Sequence, residues 1–506
     1  MNRLKITLPA VLLATALALT ACSSDGDSET TTGGGGSGNG TVTLGAYLEP
    51  VSLDLTAEAG AAIPQVLLYN VYEGLVRQNA DTGEVEPLLA SEWKMSDDGT
   101  KYTFKLRDGV TFHDGQKLTA QDVVWSFKRV TAEGSTNPFK SQMTVVKTVE
   151  APDASTVEVT LSRPSQSWLF DVAGRVGVVL KENATDLGTK PNGTGPFKFD
   201  KWNRGDSITL VRNDGYWGEK AKVATAVFRY ITDANALNNA MLSGQLDIVA
   251  NIQAPQLLEV FKGNKQFQVI EGKTTGEVVL SMNNSKGPLA DVRVRQAIRH
   301  AIDHDALIKT VWSGYGTKIG SMVPPSDPWY EDRTGDFPHD PAKAKQLLAD
   351  AGHANGLTLT MDVPPPGYAR ASAQFVASQL AEVGIKVTQN NVEMPQWLDK
   401  VLGKANYDMS IIAHVEPRDL VRYGQPEYYY RYKNPAVTQL MNEADTALDG
   451  ATRDKKFAEA AKVISQEAAS DWLFLLPNLA VIRDGVEGYP KDAVTQSFDV
   501  TKVSKK

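Results

Sequence analysis

The stretch from Asn70 to Val130 reads NVYEGLVRQNADTGEVEPLLASEWKMSDDGTKYTFKLRDGVTFHDGQKLTAQDVVWSFKRV. Its spacing predicts a helix end, two β-hairpins and a new helix. Tyr102, Phe104 and Leu106 alternate with Thr103 and Lys105, the period of two that leaves a strand one buried face. Asp97-Asp98-Gly99 precedes this strand, and Asp108-Gly109 follows it. Both are turn sequences, because glycine tolerates positive φ and aspartate bonds its own backbone. His113-Asp114-Gly115 is a further turn. Thr119 and Asp122 then have the spacing of a capping box ahead of the amphipathic run Val123, Val124, Phe127.

Outside this block, the N-terminus reads as an export and tethering signal. Arg3 and Lys5 precede an apolar run from Leu8 to Leu19, too short for a comfortable span and laid out like a secretory signal. Leu19-Thr20-Ala21-Cys22 resembles a bacterial lipobox, which implies cleavage before Cys22 and acylation of its thiol. Cys22 is the only cysteine of the 506 residues, so neither an intramolecular disulfide nor a cysteine metal site is possible. Residues 22–40 are Ser-, Thr- and Gly-rich and predict a flexible linker. Gly33, Gly35 and Gly38 formally match a phosphate-binding loop, but no strand precedes them and no helix follows. The formal charge is −8, and losing residues 1–21 brings it to about −10, which argues against nucleic acid as a partner. Hydrophobic content of 42% with 22% charged residues is that of a globular chain long enough for more than one lobe.

From about Thr41 the chain folds. Val42, Leu44 and Tyr47 predict a strand, and Ile63 to Glu73 a helix. Further on come Asn192-Gly-Thr-Gly-Pro-Phe197, Asn213-Asp-Gly-Tyr-Trp217 and Gly244-Gln-Leu-Asp-Ile248. The buried-type strand Val278–Asn283 leads into Pro288-Leu-Ala-Asp-Val-Arg-Val-Arg-Gln-Ala-Ile298. Asp340-Pro341 opens a helix that Gly352 stops. Strands at 357–363, 385–392 and 407–413 alternate with helices at 371–383 and 395–402, predicting an α/β lobe with a largely parallel sheet.

The order of these pieces resembles the extracytoplasmic solute-binding proteins of family 5, the peptide/nickel class that feeds ABC importers. The Asn70–Val130 block, the GTGPF element and the PLADVRVRQAI segment carry the resemblance. It spans nearly the whole exported chain and is weakest near 131–150 and 250–275. It implies an α/β, two-lobed periplasmic-binding-protein-like fold (type II, cluster C) with an extra small α+β domain. The implied parts are a first lobe from 41–73, 188–282 and 477–506, an extra domain at 74–187 and a second lobe at 283–476. It also implies a monomer held to the membrane through a lipid on Cys22, with ABC permease and ATPase subunits as partners and no cofactor.

Binding is the better-supported class of function. The sequence has no H-E-x-x-H and no G-x-S-x-G, and carries six histidines. His300 and His304 have metal-ligand spacing, but Ala301-Ile302-Asp303 reads as the end of one helix before the start of the next. A binder needs a cleft with aromatic walls and a few aimed polar groups. The segment after the strand ending near Ala413 offers these, since ligands dock at the carboxyl ends of strands in open sheets. Where the family often has an acidic "W..DY.DP" pattern that holds a peptide ammonium, this chain has His414, Glu416, Arg418 and Asp419. Candidate ligand contacts are Tyr47, Glu49, Asn283, His414, Glu416, Arg418, Arg422 and Tyr428. The Tyr and Arg cluster is suited to clamping a carboxylate by cation–π contact and bidentate bonding. The expected ligands are di- and oligopeptides. A metal chelate, an opine-like conjugate or another small carboxylate is the alternative, and a secreted hydrolase or a structural surface protein the alternative from another class.

Overall fold

A computed structural model describes residues 40–80 and 82–506. The expected signal peptide, Cys22 and most of the expected linker lie outside the described residues. Three main sheets organise the rest. The seven-stranded sheet runs in the order Phe267–Gly272, Asn478–Arg483, Ile248–Val249, Thr41–Ala46, Thr225–Tyr230, Ser207–Arg212, Phe197–Asn203. Thr41–Ala46 pairs in parallel with Thr225–Tyr230 and Ile248–Val249, and the other pairings are antiparallel. The five-stranded sheet runs Ile385–Asn391, Leu357–Val363, Met409–His414, Glu277–Met282, Ser470–Leu475. Three of its strands, Met409–His414, Glu277–Met282 and Ser470–Leu475, are buried almost throughout, whereas the edge strand Ile385–Asn391 is largely polar and exposed. Leu280 and Ile411 face one core, Val279 and Ile412 the other. The four-stranded antiparallel sheet runs Ala90–Met95, Lys101–Leu106, Thr156–Leu161, Val146–Asp153. The helix Ala120–Thr131 packs on it, with Phe104, Val123, Phe127 and Trp168 in one core.

The Asn70–Val130 block folds as its turns dictate. Val76–Gln78 pairs with Val85–Pro87, and Ala90–Met95 with Lys101–Leu106. Thr119 opens the helix with its N–H donating to the Asp122 carboxylate at 2.8 Å. The helix expected over Ile63–Glu73 is shorter, Ala62–Leu67. Tyr69 turns into the left-handed region at φ 64°. Asn70 donates back to the Val66 carbonyl and to the Phe498 carbonyl, both at 3.0 Å. That pair of bonds ends the helix and ties the C-terminal segment beneath it.

Glu73 of the same block sits at a junction. Its buried carboxylate accepts from Thr194 Oγ1 at 2.7 Å, Tyr216 Oη at 2.7 Å and Trp217 Nε1 at 3.2 Å. Burial holds this carboxyl above its usual range even against those three donors. Gly193 lies against residue 71, and a Cβ there would run into the Val71 carbonyl oxygen, so only glycine permits the approach. His113 locks the other side. Its Nε2–H donates to the Gly195 carbonyl at 3.0 Å, and Nδ1 accepts from the Gly193 N–H at 3.3 Å. Burial pushes this imidazole down to about 4, so it is neutral at physiological pH.

One expectation of sheet direction needs correction. The five-stranded sheet is mixed, with two parallel pairings and two antiparallel ones. The reason is that Glu277–Met282 enters from the seven-stranded sheet while its neighbour Ser470–Leu475 leaves toward it. Strands that cross the same gap in opposite senses pair antiparallel. Glu277–Met282 is thus paired on both sides within the five-stranded sheet.

Replacing Glu73 by Ala leaves one buried and two half-buried donors without an acceptor. We expect a loss of about 3–5 kcal/mol in unfolding free energy, with Glu73→Gln intermediate, read by equilibrium urea denaturation.

Candidate functional site

The chain passes between the two larger sheets twice, at 272–277 and 475–478. The two passages stay bonded: the Leu476 N–H donates to the Gly276 carbonyl at 2.8 Å, and Thr274 Oγ1 to the Leu476 carbonyl. Glu277 stands opposite both His414 and Leu475, at the end of the five-stranded sheet nearest the crossing. The carboxyl end of the Met409–His414 strand therefore opens toward the first lobe.

Five of the eight ligand candidates gather there. His414, 6% exposed, uses both ring nitrogens. Nδ1–H donates to Asp419 Oδ2 at 3.0 Å, and Nε2 accepts from the hydroxyls of Tyr429 and Tyr430, each at 2.8 Å. Asp419 in turn accepts from Arg422 Nε at 3.4 Å. The Arg422 guanidinium lies 5.6 Å from the Tyr428 ring. Burial pulls Arg422 down, but Asp419, Tyr428, Glu416 and Asp171 together outweigh it, so the guanidinium stays firmly protonated. Arg418 adopts a left-handed φ of 64°. It stacks 3.7 Å over Phe170 and 5.2 Å from Trp329. Burial lowers it to about 10. Glu416 accepts from Gln496 Nε2 at 3.3 Å, and burial holds its carboxyl above the usual range.

His414, Glu416 and Asp419 bring one donor atom each within 4.8 Å of one another, a spacing compatible with a metal ion. The imidazole has no free lone pair, however, and both Asp419 oxygens are engaged, so the geometry is that of a hydrogen-bonded cluster.

Three candidates lie elsewhere. Glu49 accepts from Trp202 Nε1 at 2.7 Å and the Gly205 N–H at 2.9 Å, which ties it to the 197–212 hairpin of the first lobe. Asn283 sits at the opposite end of its strand from Glu277. It donates to the Ala405 carbonyl at 2.9 Å and the Tyr407 carbonyl at 3.3 Å, a loop-closing role. Tyr47 is half-buried beyond the first strand, near enough to Tyr368 to affect its phenol. His300 and His304 belong to separate helices. His300 bonds the Pro338 carbonyl, and His304 bonds Asp471, which Arg299 also holds.

Sequence reasoning missed Glu277, Asp171 and Asp327. Glu277 is 1% exposed, and among the described residues no protein donor reaches its Oε2. Burial, reinforced by the charges of Asp419, Asp327 and Glu416, drives its carboxyl well above the usual range. The signal was present: Glu277 is the one charge in the strand Glu-Val-Val-Leu-Ser-Met. Burial likewise raises Asp171 and Asp327 to about 7 each.

The unit built on the four-stranded sheet also reaches the second lobe. Asp445, on the helix Pro435–Thr446, accepts from Arg163 Nη1 at 2.6 Å, Ser165 Oγ at 2.9 Å and the Ser167 N–H at 2.9 Å. It thus caps, from across the gap, the helix Gln166–Asp171 that carries Phe170 against Arg418.

Asp171 gives a pH signature. Its folded-state pKa is above the unfolded value, so the folded protein binds more protons between about 4 and 7, and ionisation on raising the pH removes stability. Asp171→Asn should raise Tm by about 2–3 °C at pH 8. Thermal denaturation against pH should show this gain shrinking below about 7 and vanishing below about 4.

Comparison with known proteins fits this architecture. Residues 84–431 match the model for bacterial extracellular solute-binding proteins, family 5 middle. The chain is 28% identical over 458 residues to heme-binding protein A of Haemophilus influenzae, covering 79% of this chain and 80% of that protein. It is 31% identical over 364 residues to the dipeptide-binding protein of Escherichia coli, covering 65% and 68%. The ABC transporter-associated periplasmic binding protein DppA from Helicobacter pylori, solved with the peptide STSA, superposes with a TM-score of 0.84 at 27% identity, covering 92% and 98%. The chain belongs to the bacterial extracellular solute-binding proteins of family 5.

Proposed function

We propose that this protein is the extracytoplasmic binding subunit of an ABC importer, capturing short peptides between its lobes and delivering them to a membrane permease. The observation that carries the reading is the polar, aromatic cluster around His414. It lies at the carboxyl end of the second lobe's sheet, beside the two-stranded crossing and under the reach of the Gln166–Asp171 helix. Ligand enclosure by hinge motion needs that arrangement: two bodies, a bonded hinge and a site beside it. The dipeptide-binding relative and the peptide complex of the H. pylori neighbour favour a peptide. Backbone bonding along strand edges would supply affinity tolerant of peptide sequence.

In this reading the protein binds and releases its ligand without chemistry, works as a monomer and is held at the membrane by lipid on Cys22. The first lobe comprises 41–73, the segment from 188 to the crossing, and 477–506. The second lobe runs from Glu277 to 476, and 74–187 form the extra domain.

Native mass spectrometry of protein purified gently from its source, without refolding, tests the ligand class. A ladder of added masses fitting mixed short peptides is expected. One discrete non-peptide mass would retain capture and reject peptides.

The Asp445 contacts form only when the lobes are together, so they stabilise the closed state. With a partly exposed Arg163 the contribution is about 1–2 kcal/mol. Asp445→Ala should therefore weaken ligand binding about tenfold, through faster dissociation in stopped-flow measurements, with the unliganded Tm nearly unchanged.

A further inference from the structure

The short helix Gln166–Asp171 belongs to the unit built on the four-stranded sheet, yet both of its ends rest on the second lobe. Asp445 holds its start through Ser165 and Ser167, and Arg418 lies over the Phe170 ring near its end. Beside them Leu448 lies so close to Gly99 that a Cβ there would strike it.

Asp171 ends this helix and is the one acid on it. Its side chain is half-buried, and among the described residues no donor bonds its carboxylate. The charges that act on it, Arg422, Asp445, Arg418 and Asp419, all stand on the second lobe. Each is committed elsewhere. Arg422 bonds Asp419, Asp445 accepts from Arg163, Ser165 and the Ser167 N–H, and Arg418 meets only the rings of Phe170 and Trp329. The helix also packs on Lys140–Met143, Arg175–Gly177 and Pro435–Thr446. Lys140 there donates to the Ala132 and Glu133 carbonyls, and Glu443 pairs with Lys456. Arg175 directs Nη1 and Nη2 to the carbonyls of Glu58, Ala59 and Gly60; its Nε has no protein acceptor, but the charge that acts on it is Glu416. Closing the lobes therefore takes the Asp171 carboxylate out of water and gives it no hydrogen bond in return, a transfer that costs the anion far more than the neutral acid. Opening returns the group to solvent and removes all four charges at once.

We propose that Asp171 makes closure of the lobes proton-linked: the closed form takes up a proton there that the open form gives back, so the protein grips in acidic surroundings and releases as the pH rises. This rests on reading the two bodies as a hinged capture device. Asp171 is a positioning residue in it and needs no contact with the ligand. Burial, opposed by Arg422 and Arg418 and reinforced by Asp445 and Asp419, holds the closed-form carboxyl at about 7. In water it is an ordinary carboxyl at about 4. The advantage to the closed form is then complete below about 4 and is lost as the pH rises through about 7.

Single-molecule FRET on the exported chain reads the ratio of closed to open molecules with no ligand present. C22S leaves K147C and K455C as the labelling sites. Both positions are exposed, one on the four-stranded sheet and the other on the helix Gly450–Gln466. Lowering the pH from about 7.5 to about 5.5 should raise the closed-to-open ratio about tenfold. D171N should already show the higher ratio at about pH 7.5 and change by no more than about twofold over the same interval. A ratio in wild type that ignores pH, that rises with pH, or that moves equally in D171N overturns the proton link and leaves the hinge standing. One distance at every pH, with no second population, overturns the hinge and the proton link together.

Discussion

The constraint on which the rest depends is the paired crossing at 272–277 and 475–478. Two peptide segments leave one sheet and enter another while remaining hydrogen-bonded to each other. A Cβ on Gly272 would strike the Lys491 carbonyl oxygen, so the first segment can be this close to the C-terminal chain only as glycine. Asn478 donates to that same carbonyl at 2.7 Å from the other segment. Because both strands are anchored in cores at either end, relative movement of the lobes is confined to the few residues between the anchors. The crossing also decides where a ligand can sit. It places the open end of the Met409–His414 strand against the first lobe and leaves the far end, with Asn283, buried under a loop.

Two buried glutamates show how burial separates architecture from recognition. Both are sealed from solvent, and both are pushed toward the protonated form by desolvation. Glu73 is met by three donors from two distant segments, and the result is a rigid knot. Glu277 is met by other carboxylates. A polar group with every bond satisfied specifies a fold, whereas one left short is an opening for a partner from outside.

What the sequence disclosed was local. Turns at Asp98-Gly99 and His113-Asp-Gly115, the Thr119–Asp122 cap and the Asp340 cap are each set by a few neighbouring residues, and each formed where the pattern put it. The family blocks carried the two-lobed α/β fold. Partner choice over long separations was not legible. Glu49 and Asn283 look like site residues in the chain, but a tryptophan 153 positions away and carbonyls more than 120 positions away claim them. Strand direction in the five-stranded sheet was hidden for the same kind of reason, since alternation with helices says nothing about a strand that arrives from another lobe. Glu277 was visible as a lone charge in an apolar strand, yet its neighbours Asp419, Asp327 and Glu416 converge only in three dimensions.

Asp445 has a consequence for how such a protein diversifies. It holds the lobes together at a place no ligand need touch, by capping a helix of the extra unit. Closure energy is thereby drawn from two independent sources, one that reads the ligand and one that does not. Substitutions at Arg163, Ser165 or Asp445 would shift the balance of open and closed forms equally for every ligand, changing how tightly the protein grips without changing what it prefers. Grip and preference are then separate dials, and a lineage can retune retention and release while the chemistry around His414 stays fixed.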